Sequence, residues 1–204
     1  MKTYTHVLFI LDRSGSMYGL EEDTIGGFNS LIDKQKQSKE ATDVSLVLFD
    51  DEIETIYSRI PLEQVQPLTK KEYFVRGATA LLDAVGMSLN KVCDRHVLCV
   101  IITDGMENAS QEYNYAKVEK LIANKKETGW QFLFLGANID AAKVAGNIGI
   151  DPEFASNYCA DSKGTKLNYD VLSDTIQLAR AGNVPIGKTW KNKIEKDYKK
   201  RKKG

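Results

Sequence analysis

The stretch FILDRSGSMYG, residues 9–19, ends an apolar run in one carboxylate and two hydroxyls. Asp12, Ser14 and Ser16 are all short, and all carry oxygen. A polar turn alone explains such residues, because Asp and Ser favour turns and helix N-caps. A cage of oxygen ligands around a hard cation explains them as well. The rest of the chain has to decide between these two interpretations.

Continuous apolar runs predict the strands of a sheet that is covered on both faces. They lie at residues 6–12, 44–50, 96–104 and 130–138. Segment 52–62 follows the second run too closely for a parallel crossover, so it predicts an antiparallel hairpin at an edge. A last short strand is expected near residues 156–161.

Amphipathic patterns between these runs predict helices. They cover residues 20–38, 79–94, 114–128, 141–149 and 167–182, and Gly182 stands at the C-cap of the last one. Alternating strands and helices predict an α/β fold, a Rossmann-like doubly wound sheet that is mostly parallel. Residues 61–77 form the longest stretch without periodicity, and loops of that length are often functional.

The composition is that of an ordinary globular protein, with 42% hydrophobic and 27% charged residues among 204. An odd number of widely spaced cysteines, Cys93, Cys99 and Cys159, predicts free thiols in a reducing compartment, and we expect a cytoplasmic protein. No apolar run approaches the roughly 18 residues that a membrane helix needs. The N-terminal run leads into Asp12 without a cleavage site, so nothing indicates secretion.

The formal net charge of zero hides an asymmetry between the body and the C-terminal tail. Residues 188–204 hold nine of the 28 basic and two of the 28 acidic residues, which leaves residues 1–187 with a net charge of −7. We expect a domain over 1–187 and a basic helix or tail over 188–204. Trp190, Ile194 and Tyr198 would give that helix an apolar stripe, which favours docking on the domain with a frayed end over contact with nucleic acid.

Five oxygen-bearing residues are predicted to meet at one edge of the sheet. In open α/β sheets ligands bind outside the carboxyl ends of the strands, where Asp12 and Asp104 end two of the predicted strands. Ser14, Ser16 and Thr79 add hydroxyls. Such a set without sulfur or imidazole suits Mg²⁺, although Mn²⁺ and Ca²⁺ accept the same ligands. Hydroxyls bound directly, with carboxylates partly acting through water, would leave a position open for an Asp or Glu of a partner.

The motifs DRSGS at 12–16, GAT at 77–79 and TDG at 103–105 resemble the metal-ion-dependent adhesion site of von Willebrand factor type A domains. The resemblance covers roughly residues 4–185. It implies a Rossmann-like sheet with one antiparallel edge strand, in the compact form familiar from bacterial and phage proteins. It also implies a metal site made of Asp12, Ser14, Ser16, Thr79 and Asp104. Ala78 departs from the family pattern, where a second glycine is often found.

These observations predict a non-catalytic, divalent-cation-dependent protein-binding domain. One alternative is a Mg²⁺-dependent phosphoryl-transfer enzyme, although Ser14 stands where a second carboxylate could serve as general acid, and no phosphate-binding loop is present. Another is a structural subunit that assembles with itself through its acidic body and basic tail. We expect His6 and His96 to pack at strand starts, and Asn138 or Asp140 to cap a helix.

Overall fold

A six-stranded sheet carries the fold of the computed structural model, which describes residues 6–182 and 186–202. The strands are β1 (His6–Asp12), β2 (Asp43–Phe49), β3 (Ile53–Pro61), β4 (Val97–Thr103), β5 (Gln131–Gly136) and β6 (Ala155–Asn157). Their order is β3-β2-β1-β4-β5-β6. All neighbours pair in parallel except β2 and the edge strand β3, which are antiparallel. The predicted Rossmann-like sheet with one antiparallel edge strand is therefore confirmed.

Six helices connect and cover these strands. They are α1 (Glu21–Lys36), α2 (Leu81–Lys91), α3 (Tyr115–Glu127), α4 (Ala141–Asn147), α5 (Ser162–Arg180) and α6 (Asn192–Arg201). Each of the five predicted helices is present within a few residues of its predicted bounds, apart from the start of α5. Gly182 has a φ of +67° just beyond the end of α5, which is the left-handed conformation that a helix-terminating glycine adopts.

The two faces of the sheet hold two separate cores, because successive side chains of a strand point to opposite faces. Phe9 packs with α1 and α5, and its ring meets that of Phe28 edge-on at 5.3 Å between centroids. Leu8 and Ile10 pack on the other face with α2, α3 and α4. Every residue of β1 is buried, as the apolar run predicted.

Helix α5 begins five residues earlier than its hydrophobic pattern indicated. The Asp161 side chain accepts the N–H of Gly164 at 2.8 Å and so caps the helix. The first turn, residues 162–166, is mostly polar, and hydrophobic periodicity cannot detect such a turn. The last strand, Ala155–Asn157, is also shorter than predicted and begins one residue earlier.

The long segment 61–77 is irregular apart from a 3₁₀ turn over residues 62–64, yet it is built into the first core. Leu62, Val65, Leu68 and Tyr73 are buried there. The side chain of Asn29 on α1 holds the segment by bonding both the N–H and the C=O of Leu68, at 2.7 and 2.9 Å. The segment is therefore a fixed cover next to the carboxyl edge of the sheet.

The basic tail forms α6 after a 3₁₀ turn over residues 188–191. Ile194 is buried, and the indole N–H of Trp190 donates to the carbonyl of Glu153 at 3.0 Å. The apolar stripe thus lies against α5 and β6. The last two residues of the predicted frayed end lie outside the described residues. No helix of the described ranges is long and apolar enough to cross a membrane.

A neighbouring pair of glycines in α1 tests the packing of α1 on α5. A methyl group at Gly27 would lie 2.2 Å from the ring of Tyr169, whereas one at Gly26 would meet nothing within 4 Å. We expect Gly27→Ala to lower the free energy of unfolding by about 1–3 kcal/mol through overpacking. Gly26→Ala is the matched control and should raise it by about 0.5–1 kcal/mol through helix propensity. Urea denaturation measures both, and equal effects of the two variants would contradict the packing.

Candidate metal centre

The carboxyl ends of β1 and β4 lie side by side, and the order of the strands reverses between them. Leu11 pairs with Ile102, so the two strands end at the same level of the sheet. Asp12 is the last residue of β1, and Asp104 follows directly after β4. This is the position in open α/β sheets at which loops leave a crevice for a ligand.

Asp12 is almost wholly buried, and both of its carboxylate oxygens have donors. Oδ1 accepts the N–H of Ser14 at 2.7 Å, and Oδ2 accepts the hydroxyl of Thr103 at 2.5 Å. Burial raises the pKa of this carboxyl, and the donors from Ser14 and Thr103 oppose that rise. The hydrogen bond from the Ser14 N–H to Asp12 also fixes the turn after β1, which carries the hydroxyls of Ser14 and Ser16.

Asp104 is buried with less compensation. Its Oδ1 accepts the hydroxyl of Ser16 at 2.5 Å, while its Oδ2 is buried without a hydrogen-bond partner. Burial and the nearby Asp12 charge raise the pKa of Asp104 to about 6, although the Ser16 hydroxyl lowers it. A buried carboxylate oxygen without a donor is costly, so this atom is suited to an incoming positive charge.

The three predicted hydroxyls converge beside the two carboxylates. Ser14 Oγ lies 3.2 Å from Ser16 Oγ, and the Thr79 hydroxyl donates to Ser14 Oγ at 3.0 Å. Ser14 and Thr79 are buried, whereas Ser16 is exposed. The structure thus brings together all five side chains that the sequence singled out.

Gly105 leaves a small space in front of these hydroxyls. A side-chain carbon at this position would lie 2.8 Å from Thr79 Oγ1, 3.0 Å from Ser16 Oγ and 3.6 Å from Ser14 Oγ. Three hydroxyl oxygens therefore surround a small space next to Gly105, which a side chain at this position would fill. An all-oxygen set of this kind fits a hard divalent cation. Within the described ranges, no group of three or more His, Cys, Asp and Glu side chains offers a different type of metal site.

Close backbone approach places the loop after β1 against the segment before Thr79. The N–H of Gly15 donates to the carbonyl of Gly77 at 3.1 Å, and the N–H of Arg76 donates to that of Arg13 at 3.0 Å. A methyl group on Gly15 would come within 3.2 Å of the Gly77 carbonyl. The absence of a side chain at Gly15 therefore eases the close approach of these two loops.

An ion-pair network centred on the buried Asp50 connects these two loops. Asp50 Oδ2 accepts the Nε–H of Arg13 at 2.8 Å and that of Arg76 at 2.9 Å. Burial alone would raise the pKa of Asp50, but the N–H of Glu52 and the guanidinium groups of Arg76 and Arg13 bring it below its usual value. Arg13 is fully buried, and its guanidinium carbon lies 5.0 Å from the centre of the Phe74 ring.

Glu107 and Asn108 were given no role from the sequence, yet they hold the loop that carries Thr79. Asn108 Oδ1 accepts the N–H of Thr79 at 2.8 Å, and the Asn108 N–H donates to the Thr79 carbonyl at 3.0 Å. Glu107 accepts the N–H of Leu82 in the first turn of α2 at 2.8 Å. The N-cap of α2, Ala80, has no capping side chain, so the first N–H groups of the helix need acceptors from elsewhere, and this need becomes visible only once the start of the helix is known.

The remaining polar candidates lie elsewhere or cap helices. Asp140 caps α4 by accepting the N–H of Lys143 at 3.1 Å. Asn138 is exposed, with a φ of +55°. His6 begins β1 and His96 precedes β4. Both histidines therefore lie at the amino ends of these strands, away from Asp12 at the carboxyl end of β1. Six residues of strand separate His6 from Asp12, which corresponds to about 20 Å.

Comparison by sequence finds no match, either to a protein-family model or to a curated protein. Comparison by structure finds several similar folds. A von Willebrand factor type A protein from Catenulispora acidiphila aligns at a TM-score of 0.60 and 12% identity, over 86% of this chain and 43% of that one. Proximal thread matrix protein 1 from the mussel byssus aligns at 0.62 and 16%, over 87% and 46%. The chain therefore spans less than half the length of these two proteins.

A third similar structure is the manganese-loaded TRAP protein of Plasmodium vivax. It aligns at a TM-score of 0.54 and 18% identity, over 81% of this chain and 72% of that one. At identities this low, the structural similarity shows a shared fold alone. The chain therefore has the fold of von Willebrand factor type A domains.

Proposed function

We propose that this protein is a non-catalytic binding domain that recognises an acidic residue of a partner protein through a divalent cation. Ser14, Ser16 and Thr79 would bind the cation directly, and Asp12 and Asp104 would support it directly or through water. The observation that carries the proposal is the buried Oδ2 of Asp104, which has no hydrogen-bond partner and lies beside three converging hydroxyls.

The donor set favours recognition of an acid over a closed structural site. A bound Mg²⁺ or Mn²⁺ would supply a Lewis-acidic coordination position that a carboxylate oxygen can fill. The three donors proposed to bind directly are neutral hydroxyls, so the cation would stay electrophilic wherever the two carboxylates act through water. Ser14 and Thr79 are buried, whereas Ser16 is exposed to solvent, where a partner could reach the cation.

Mg²⁺ is our first choice of ion because of its abundance and its preference for oxygen ligands. The manganese in the TRAP protein structure supports divalent binding within this fold without selecting Mg²⁺. We further propose that residues 1–187 form the binding domain and that 188–204 are an appended basic element. The odd number and wide spacing of the cysteines support a reducing, cytoplasmic setting as part of this proposal.

A hydrolytic enzyme is a second candidate, distinct from the phosphoryl-transfer alternative, and one specific observation favours it. At the amino end of β1, His6 Nε2 lies 2.9 Å from Ser45 Oγ, and His6 Nδ1 lies 3.0 Å from Asp94 Oδ2. A Ser-His-Asp series of contacts is also found in hydrolytic triads. His6 and Ser45 are buried, and the Ser45 oxygen already accepts the N–H of Arg59 at 2.9 Å. We assign Asp94, His6 and Ser45 a structural role. Their hydrogen bonds satisfy polar groups at the place where the pairing of β2 with β3 is irregular.

Divalent cations should stabilise the folded protein. At about 100 times its dissociation constant, Mg²⁺ or Mn²⁺ should raise the free energy of unfolding by about 2.7 kcal/mol over the EDTA-treated protein. Asp104→Asn should abolish this gain. In EDTA the same variant should be at least as stable as wild type, because a poorly compensated buried charge has been removed. Chemical denaturation with and without cation measures all four values.

Two further variants show whether the loss of cation-dependent stabilisation is specific to the proposed metal site. Asp174→Asn changes an exposed aspartate on α5 and should leave the gain intact. Gly105→Ala keeps both carboxylates but places a methyl group 2.8 Å from Thr79 Oγ1, so it should reduce the gain. A gain that survives in Asp104→Asn would refute the proposed site.

The contact between Asn108 and Thr79 should matter for metal affinity beyond its effect on stability. Asn108→Ala removes the acceptor of the Thr79 N–H, and we expect about a tenfold loss of Mn²⁺ affinity, the lower end of what supporting residues contribute. Asn114→Ala is the control, since Asn114 caps α3 at 3.0 Å from the Lys117 N–H and should cost about 1 kcal/mol of stability. Calorimetric titration should show unchanged Mn²⁺ affinity for the control, and a similar loss in both variants would contradict the positioning role.

The structural role of Ser45 predicts that a fluorophosphonate probe will not label the protein. The hydroxyl is buried and already bonded to the Arg59 N–H, which leaves it a poor nucleophile. Intact-mass spectrometry after incubation with the probe checks this. Labelling that disappears in Ser45→Ala would show a reactive serine and favour an enzyme.

A further inference from the structure

The buried side chain of Tyr73 reaches the backbone of the metal centre from the long segment 61–77. Its hydroxyl donates to the main-chain carbonyl of Asp12 at 2.6 Å, and neither residue is more than 1% exposed. Strand β1 ends at Asp12, so this carbonyl lies where the strand passes into the loop of Ser14 and Ser16. A buried carbonyl needs a donor, and a side chain 61 residues further along the chain supplies it here.

The neighbours of Tyr73 in the chain hold the residue that follows Asp12. The carbonyl of Glu72 accepts an N–H of the Arg13 guanidinium at 3.1 Å. The backbone N–H of Arg76 donates to the carbonyl of Arg13 at 3.0 Å. These bonds secure Arg13, whereas the bond from Tyr73 is made to Asp12 itself. The start of the metal-binding loop is therefore held at two consecutive residues from one short stretch of segment 61–77.

Tyr73 is itself fixed in place, and its hydroxyl stays protonated. The N–H of Tyr73 donates to the carbonyl of Thr69 at 2.9 Å, and the ring packs in the first core. Burial raises the pKa of Tyr73 well above its usual value; Tyr169 and the charge of Asp12 add to this rise, and the Thr24 hydroxyl opposes it. The hydroxyl is therefore available as a donor at neutral pH.

We infer that Tyr73 is a positioning residue of the metal centre, because its hydroxyl fixes the backbone of Asp12. The loop that presents Ser14 and Ser16 to the cation begins at this point. The inference rests on the proposed function and adds a determinant of metal affinity outside the five ligands. Without the bond, the loop has to be ordered when the cation binds, and this cost weakens binding. If Tyr73 only filled the core, its hydroxyl would have no effect on metal affinity.

Tyr73→Phe tests the inference, because it removes the hydroxyl and keeps the ring. We expect Mn²⁺ affinity to fall about tenfold, the lower end of what supporting residues contribute. Calorimetric titration measures the affinity of protein that circular dichroism shows to be folded. A second readout needs no metal: in EDTA, hydrogen–deuterium exchange of the backbone at residues 13–17 should be about tenfold faster than in wild type, since one hydrogen bond that holds this loop is lost.

Tyr169→Phe is the matched control. Tyr169 is a buried tyrosine of the same core, and its hydroxyl has no hydrogen-bond partner among the residues that the structure describes. Loss of this hydroxyl should leave both the Mn²⁺ affinity and the exchange of residues 13–17 unchanged. The comparison separates the specific bond to Asp12 from a general effect of removing a buried hydroxyl.

The outcomes separate the inference from the function on which it rests. Failure of the wild-type protein to bind Mn²⁺ would overturn both. Equal Mn²⁺ affinity of wild type and Tyr73→Phe would overturn the positioning role and leave the metal centre standing, even if residues 13–17 exchange faster in the variant. Equal losses of affinity in Tyr73→Phe and Tyr169→Phe would also overturn it, because the effect would then belong to the core and not to the bond with Asp12.

Discussion

The burial of two carboxylates side by side, Asp12 and Asp104, is the constraint on which the site and its supports depend. The parallel arrangement of β1 and β4 forces them together, since both strands end at the same level. Asp12 receives two donors, but one oxygen of Asp104 receives none. A charge left in this state costs free energy in the folded protein, and a bound cation would offset that cost.

The surrounding loops are organised to present hydroxyls at this point. Ion pairs of Arg13 and Arg76 with Asp50 fix the loop after β1 against the segment that leads to Thr79. On the other side, Asn108 bonds both backbone groups of Thr79. The hydroxyls are therefore held before any ligand arrives, and such preorganisation reduces the ordering that binding would otherwise require.

Much of this arrangement could be predicted from the sequence, because its signals are local. Continuous apolar runs identified the buried strands, and the short polar residues after Asp12 indicated a candidate metal-binding loop. What could not be predicted depends on contacts between distant segments. Glu107 and Asn108 look like ordinary loop residues until α2 is seen to need their side chains. The early start of α5 depends on the cap at Asp161, which carries no hydrophobic signal.

The most direct test of the central claim is a crystal structure of the protein grown with Mn²⁺, with anomalous diffraction recorded at the manganese edge. The account predicts one anomalous peak in contact with the hydroxyl oxygens of Ser14, Ser16 and Thr79, beside the Asp104 carboxylate. Hydroxyls that point apart in the crystal, or manganese found only elsewhere on the molecule, would contradict it.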